Sequence, residues 1–206
     1  MWSYRWAGLD ESGNPQTYDA EGNKTRTPVA ESIECNGTYR PKYSGSLSTD
    51  FKYKNVLLSF SFIYNFGHVF RVAYPSMNLG TGKADLSAFI ADRWQKPGDE
   101  NKTDIPGIYT VENYNGYRKD LSSYSSNSVR KGDFIRLREI TLNYELPSRL
   151  IKKTPFSRVS LTAQANTVWL WTKNKEGFDP EAVDPIHGTL SLGEAPSFTF
   201  GLRVEF

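Results

Sequence analysis

Phe198, Phe200, Leu202, Val204 and Phe206 occupy alternate positions, with Thr199, Gly201, Arg203 and Glu205 between them. A period of two over about ten residues marks a strand with one apolar and one polar face, and that length crosses a bilayer at a tilt. The pattern recurs upstream. Leu47, Thr49, Phe51 and Tyr53 alternate with Ser46, Ser48, Asp50 and Lys52. After a tight turn at Lys54-Asn55, Val56, Leu58, Phe60, Phe62, Tyr64 and Phe66 alternate with Leu57, Ser59, Ser61, Ile63 and Asn65. These residues predict a hairpin over 44–66 with an aromatic-rich face. Serines opposite phenylalanines suit a wet surface, because in a dry core each hydroxyl would need a partner.

Two further strands are predicted near the end. From Phe134 to Leu146, Ile140, Leu142, Tyr144 and Leu146 share a face while Ile135 and Leu137 fall on the other. The parity changes near Arg138-Glu139, which predicts a β-bulge there or a strand leaving the membrane zone. From Arg158 to Trp171, Val159, Leu161, Ala163 and Ala165 alternate with polar residues, and Trp169 and Trp171 close the run where an interfacial aromatic girdle would lie.

The connections alternate in length. Lys54-Asn55 and 147–157 are short to moderate, whereas 67–131 and 172–196 are long. Transmembrane barrels sort their connections this way, with periplasmic turns and longer outer loops. A soluble sandwich has no reason to do so. The reading is all-β: about five antiparallel strands from the C-terminal part of a large transmembrane barrel. Residues 1–43 form an outer loop, 44–66 a hairpin, 67–131 a second outer loop and 132–206 three strands. Leu86, Phe89, Ile90 and Trp94 predict one short amphipathic helix at about 83–95, ended by Pro97-Gly98. Phe206 would stand at the periplasmic rim as an aromatic last residue, as is typical of outer-membrane barrels. Phe198, Phe200, Leu202, Val204 and Phe206 are then the row that the barrel-assembly machinery reads.

Composition narrows the picture. Apolar residues make up only 38% of the 206, yet aromatics reach 14%, which a barrel with a polar lumen tolerates better than a soluble core. A net charge of +2 does not suggest a nucleic-acid partner. There is no apolar run long enough for a membrane helix. Cys35 is the lone cysteine, and His68 and His187 lack ligand spacing, so neither a disulfide framework nor a metal or cofactor site is expected. Met1 to Trp6 does not read as a signal peptide. Five strands cannot close, and an open edge in lipid leaves backbone groups unpaired, so the remaining strands are expected before Met1.

Five motifs carry a resemblance. They are Trp6-Ala7-Gly8-Leu9-Asp10 with Gly13-Asn14-Pro15-Gln16; Arg40-Pro41-Lys42-Tyr43-Ser44-Gly45 with Phe51-Lys52-Tyr53-Lys54; and Arg93-Trp94 with Pro97-Gly98-Asp99 and Thr103-Asp104-Ile105-Pro106. The others are Gly132 to Arg138 with Leu142 to Pro147, and Asn166 to Thr172 with Gly177-Phe178-Asp179-Pro180-Glu181. In this order they resemble the SusC/RagA family of TonB-dependent outer-membrane transporters. The resemblance implies a barrel of about twenty-two strands around an N-terminal plug. It also implies a SusD-like surface lipoprotein as lid, and uptake of oligosaccharides or peptides driven by TonB acting on a plug absent here. Outer-membrane lipid would surround the wall.

No catalytic constellation appears. Trp94, Tyr109, Tyr114 and Tyr117 could stack on a ligand, or pack the loops and meet the lid. Arg136 and Arg138 could face a ligand at the mouth, or pair structurally in the lumen. Asp179, Glu181 and Asp184 could hold a hard cation or simply be solvated. The alternative to a transporter wall is a soluble β-sandwich that binds glycans through exposed aromatics.

Overall fold

A computed structural model of the chain describes residues 1–72, 91–108 and 116–206. These fall into two compact units. One comprises Met1–Tyr39, Val69–Lys131 and Val183–Ser191; the other comprises Arg40–His68, Gly132–Ala182 and Leu192–Phe206.

The first unit opens with β1 (Trp2–Tyr4), β2 (Trp6–Leu9), β3 (Pro15–Tyr18), β4 (Lys24–Thr25) and β5 (Ile33–Cys35). Strands β2, β3 and β4 form one small sheet, and β1 pairs with β5. Two local signals build that small sheet. Asp10-Glu11-Ser12-Gly13-Asn14 and Asp19-Ala20-Glu21-Gly22-Asn23 are the same five-residue word, Asp-x-x-Gly-Asn. In each, the Asp carboxylate accepts the Asn backbone N–H, at 2.9 Å from Asn14 and 2.7 Å from Asn23. In each, too, the Gly sits at positive φ, 72° and 88°. A type I turn followed by a left-handed glycine makes a three-residue hairpin loop. Sequence reading predicts an outer loop over 1–43 and misses this repeat, because the strands it joins are too short to show a period.

The second unit holds the long strands. These are β6 (Tyr43–Tyr53), β7 (Val56–Phe66), β10 (Phe134–Glu145), β11 (Arg158–Thr172) and β12 (Ser197–Glu205). Between β7 and β10 the chain passes through β8 (Val69–Arg71), α1 (Arg118–Tyr124) and β9 (Val129–Lys131), which belong to the first unit; α2 (Ser148–Ile151) lies between β10 and β11. The five long strands form one antiparallel sheet in the order β12-β11-β10-β7-β6. Lys54, at φ 51°, makes the two-residue turn from β6 to β7, where a hairpin matched to strand twist needs a positive φ.

Register across the sheet aligns the alternation of every strand. Directly opposed residues run Phe200, Ala163, Leu142, Leu58, Phe51 from β12 to β6. The next row is Phe198, Ala165, Ile140, Phe60, Thr49, and on the other side lies Leu202, Leu161, Tyr144, Val56, Tyr53. Opposed residues share a face, so all three rows lie on one apolar surface. The opposite face reads Gly201, Thr162, Asn143, Leu57, Lys52 and then Thr199, Gln164, Thr141, Ser59, Asp50.

The parity change in β10 is a bulge. Leu137 opposes Phe62 and Glu139 opposes Ser61, which leaves Arg138 as the extra residue. Ile135 and Leu137 thereby return to the apolar face. Towards β11, Leu137 opposes Trp169 and Glu139 opposes Asn166, so Thr167 and Val168 fall opposite the same Arg138. The predicted helix at 83–95 lies mainly outside the described residues, and its described part, 91–95, contains no α-helix. The helix at Arg118–Tyr124 was not expected from sequence.

Candidate functional site

The sheet's two faces differ in how they meet their surroundings. On the apolar face Phe200 is 82% exposed, Leu202 66% and Leu47 63%. Water would not tolerate so wide an apolar surface on a monomer; lipid would. Tyr43, Tyr64, Phe66, Trp169 and Trp171 gather at the end where the long connections join. Tyr53, Tyr144, Phe156 and Phe206 lie towards the turn end, where the last two meet edge to face with ring centroids 5.3 Å apart. An eleven-residue strand such as β6 rises about 3.3 Å per residue and, tilted by about 45°, spans roughly 25 Å. That equals the apolar band of an outer-membrane barrel between its two aromatic girdles. Among the described residues no helix is long and apolar enough to cross a membrane.

The polar face is hydrogen-bonded along and across its strands. Thr162 donates to Asn143 at 2.7 Å, Asn166 to Ser197 at 3.2 Å and Ser48 to Ser61 at 3.2 Å. Arg158 forks onto Glu145 with two bonds of 2.8 Å. Towards the turn end this face holds an open recess of about 470 Å³ lined in part by Lys52, Lys54, Arg158, Arg203, Glu145 and Glu205. Such a surface suits a water-filled or plugged lumen.

At the loop end the inward face is covered. Phe134 is 1% exposed and Arg136 2%. Arg136 donates to Asp179 at 2.6 Å and lies 2.8 Å from Glu181. Arg138, half exposed, meets Glu194 at 3.2 Å. Asp184 belongs to the other compact unit, where its carboxylate lies 2.8 Å from His187 Nδ1. The backbone N–H groups of His187 and Ile186, together with the His187 ring, draw the Asp184 carboxyl down to about 2. The three acidic residues therefore serve two different local structures. Among the described residues no group of three ligating side chains could hold a metal ion.

The aromatic candidates separate as well. Tyr109 and Tyr114 lie outside the described residues. Tyr117 is 47% exposed, immediately before α1. Trp94 packs against Gly13 and Gly107 so closely that a Cβ on either would collide with its ring. Its indole N–H donates to Glu100 at 3.1 Å and its backbone N–H to Ile105 at 2.9 Å. Trp94 thus pins loops together.

Two buried cations were missed from sequence. Arg118 donates to the Gly13 carbonyl at 3.0 Å, and also to Gly107 and to the Asn14 side chain. Arg71 donates to the Ser123 and Trp2 carbonyls at 2.8 and 2.9 Å and lies over the Tyr124 ring. Their sequence neighbourhoods carry no periodic signal, and only the tertiary fold brings their acceptors near.

Comparison with known proteins bears on the same surface. No protein-family model matches this chain. TonB-dependent receptor P39 of Formosa agariphila is 33% identical over 175 residues, covering 80% of this chain and 16% of the relative. TonB-dependent receptor P3 of the same organism is 26% identical over 211 residues, covering 97% of this chain and 20% of the relative. The chain thus spans a fifth or less of the length of these relatives. The solved structure of the RagAB peptide transporter superposes with a TM-score of 0.73 at 22% identity, over 100% of this chain and 23% of that one. The RagAB peptide importer in the open-open state gives 0.70 at 20%, over 100% and 22%. The structural likeness speaks for the fold and the sequence likeness for kinship: this chain belongs to the TonB-dependent receptors, and its five long strands have the fold of barrel strands in the RagAB structures.

Proposed function

We propose that the chain is part of the wall of an outer-membrane transporter that takes up oligosaccharides or peptides by TonB-driven import. The observation that supports this most is the unbroken apolar face across five strands, bounded by aromatics at both ends and backed by a polar face. In the proposed orientation the Lys54-Asn55 turn and the 147–157 connection face the periplasm, and the long connections face outward. A SusD-like lipoprotein covers the outer mouth, TonB acts on a plug carried by other parts of the receptor, and the assembly machinery engages the row Phe198 to Phe206. Tyr117, with Tyr109 and Tyr114, is the proposed ligand-stacking group. Arg138 is a rim residue, while Trp94 and Arg136 hold loops in place.

The name of the RagAB relatives favours peptides as cargo; the aromatic loop residues are equally suited to sugar rings. The test is uptake in cells with and without the full-length receptor, offering labelled oligosaccharide and labelled oligopeptide separately. Accumulation of one class that disappears on deleting either the receptor or TonB is expected. Equal accumulation of both classes in all strains would refute the proposal. A soluble sandwich is disfavoured by the exposure of Phe51, Phe198, Phe200 and Leu202, which a second sheet would cover.

A further inference from the structure

We propose that the open recess between the β1–β5 ribbon and α1 is a binding site for a basic side chain, the lysine or arginine of a peptide ligand. All of the recess lies in the first compact unit. Binding there is independent of the transporter reading; that the bound peptide is cargo rests on it.

Trp2 and Tyr4 stand two apart on β1 and so share a face of the strand. Ile33 on β5 directly opposes Tyr4 and joins them on that face. This small ribbon is inside out. Its apolar face is open, with Trp2 66% and Ile33 44% exposed, while Ser3 on the other face is buried and donates to the Asn36 side chain. Asp120 and Tyr124 are four apart on α1, so they too share a face. The two faces flank a recess of about 370 Å³ lined by Trp2, Tyr4, Ile33, Asp120 and Tyr124, with Ser3 in the chain between the first two. Its walls are fixed from behind. Buried Arg71 donates to the carbonyls of Trp2 and Ser123 and packs on the Tyr124 ring, and Tyr4 bridges to Ser125 just past the helix. Walls set in advance reduce the ordering that a ligand must otherwise impose.

The lining decides the ligand. It offers three aromatic rings, one aliphatic side chain and one carboxylate. Asp120 is exposed and makes no ion pair among the described residues. A lysine or arginine side chain has the matching shape and charge. Its methylene stem lies along Ile33 and the rings, and its cationic head sits against a ring face with Asp120 beside it. Trp, the strongest cation acceptor of the three ring types, is the most exposed of these rings. A sugar ring would bring hydroxyls all round its rim, each needing a partner when covered, and the Ser3 hydroxyl is already given to Asn36. An acidic group would meet Asp120 as a like charge.

The experiment measures binding to the purified full-length receptor in detergent. The probes are a capped alanine hexapeptide with one central lysine, the same peptide with norleucine in its place, and maltohexaose as a neutral sugar. The lysine peptide is expected to bind about five- to thirtyfold tighter than the norleucine peptide, a preference that weakens with added salt. Asp120→Asn is expected to lose most of that preference, and Trp2→Leu to weaken the lysine peptide several-fold. Heat-modifiability on gels reports whether each variant assembles. Should Trp2→Leu fail to assemble, Asp120→Asn decides, because it changes only an exposed side chain. Equal binding of the two peptides overturns the proposal, as does a lysine preference that survives Asp120→Asn. Binding of maltohexaose that depends on Trp2, without a lysine preference, makes the recess a sugar site and overturns it too. Receptor-independent uptake of cargo would instead refute the transporter reading, and the recess would still be decided by binding.

Discussion

Gly13 lies where three constraints meet. Its φ of 72° is one that a β-carbon disfavours, its face is filled by the Trp94 ring, and its carbonyl accepts from Arg118 and from Gly107. Gly13→Ala should therefore destabilise this unit by about 1–3 kcal/mol, the usual cost of overpacking. Faster hydrogen exchange of the β2 and β3 amides in the full-length receptor would show it; a wild-type exchange pattern would contradict the packing described. Asp184 makes a pH-dependent claim. A carboxyl held below its unfolded value contributes order that is complete above that value and is lost as pH falls through the folded one. With Asp184 moved from 3.8 to about 2, the 184–187 turn should stay closed down to about pH 4 and open between there and about pH 2. Asp184→Asn should abolish that transition. Nuclear magnetic resonance titration of the His187 and Ile186 amides would follow it.

Strands carry the second scale. The facing of β12 is set by register with β11, which places Leu202 opposite Leu161 and Arg203 opposite Ser160. An arginine at Leu202 should lower barrel stability by about 2–4 kcal/mol, the cost of a charge on the lipid face near the midplane. Arg203→Ser should change it by no more than an exposed ion pair is worth, about 0–1 kcal/mol, since its partner Glu205 lies at 3.0 Å on a polar surface. Folded levels of the two variants in the outer membrane, compared side by side, test the facing directly. If Arg203→Ser proves the more damaging, the two faces have been assigned the wrong way round.

At the scale of the molecule, the sheet is incomplete in a physical sense. Among the described residues strands β6 and β12 each have one neighbour, so both offer unpaired backbone groups there, and their apolar faces stay exposed. The isolated 206-residue chain should neither remain monodisperse without detergent nor yield a heat-modifiable monomer with it, because closure takes at least eight strands. A protease-resistant monomer on gels would contradict this. In the proposed full-length receptor the two edges pair with further strands, and the alternation expected to make the isolated chain insoluble builds the wall.

The sequence alone determined the five long strands, their alternating faces, the change of parity near Arg138 and the sorting of connections, because each rests on a period of two or on local turn chemistry; that the parity change is a bulge was decided by the register with the neighbouring strands. The five ordered motifs carried the family for a similar reason: they are local words. What only the tertiary structure decided is which distant groups meet. Arg136 and Arg138 looked alike in sequence, yet one is buried between Asp179 and Glu181 and the other lies half exposed beside Glu194. Trp94 was a candidate to stack on ligand and proved to be packed on two glycines, one of them eighty-one positions away. The Asp-x-x-Gly-Asn repeat was readable and was missed, since its strands are shorter than any periodicity window. Arg71 and Arg118 could not have been read, because their acceptors are mostly backbone carbonyls, which every residue has and only the fold brings into reach.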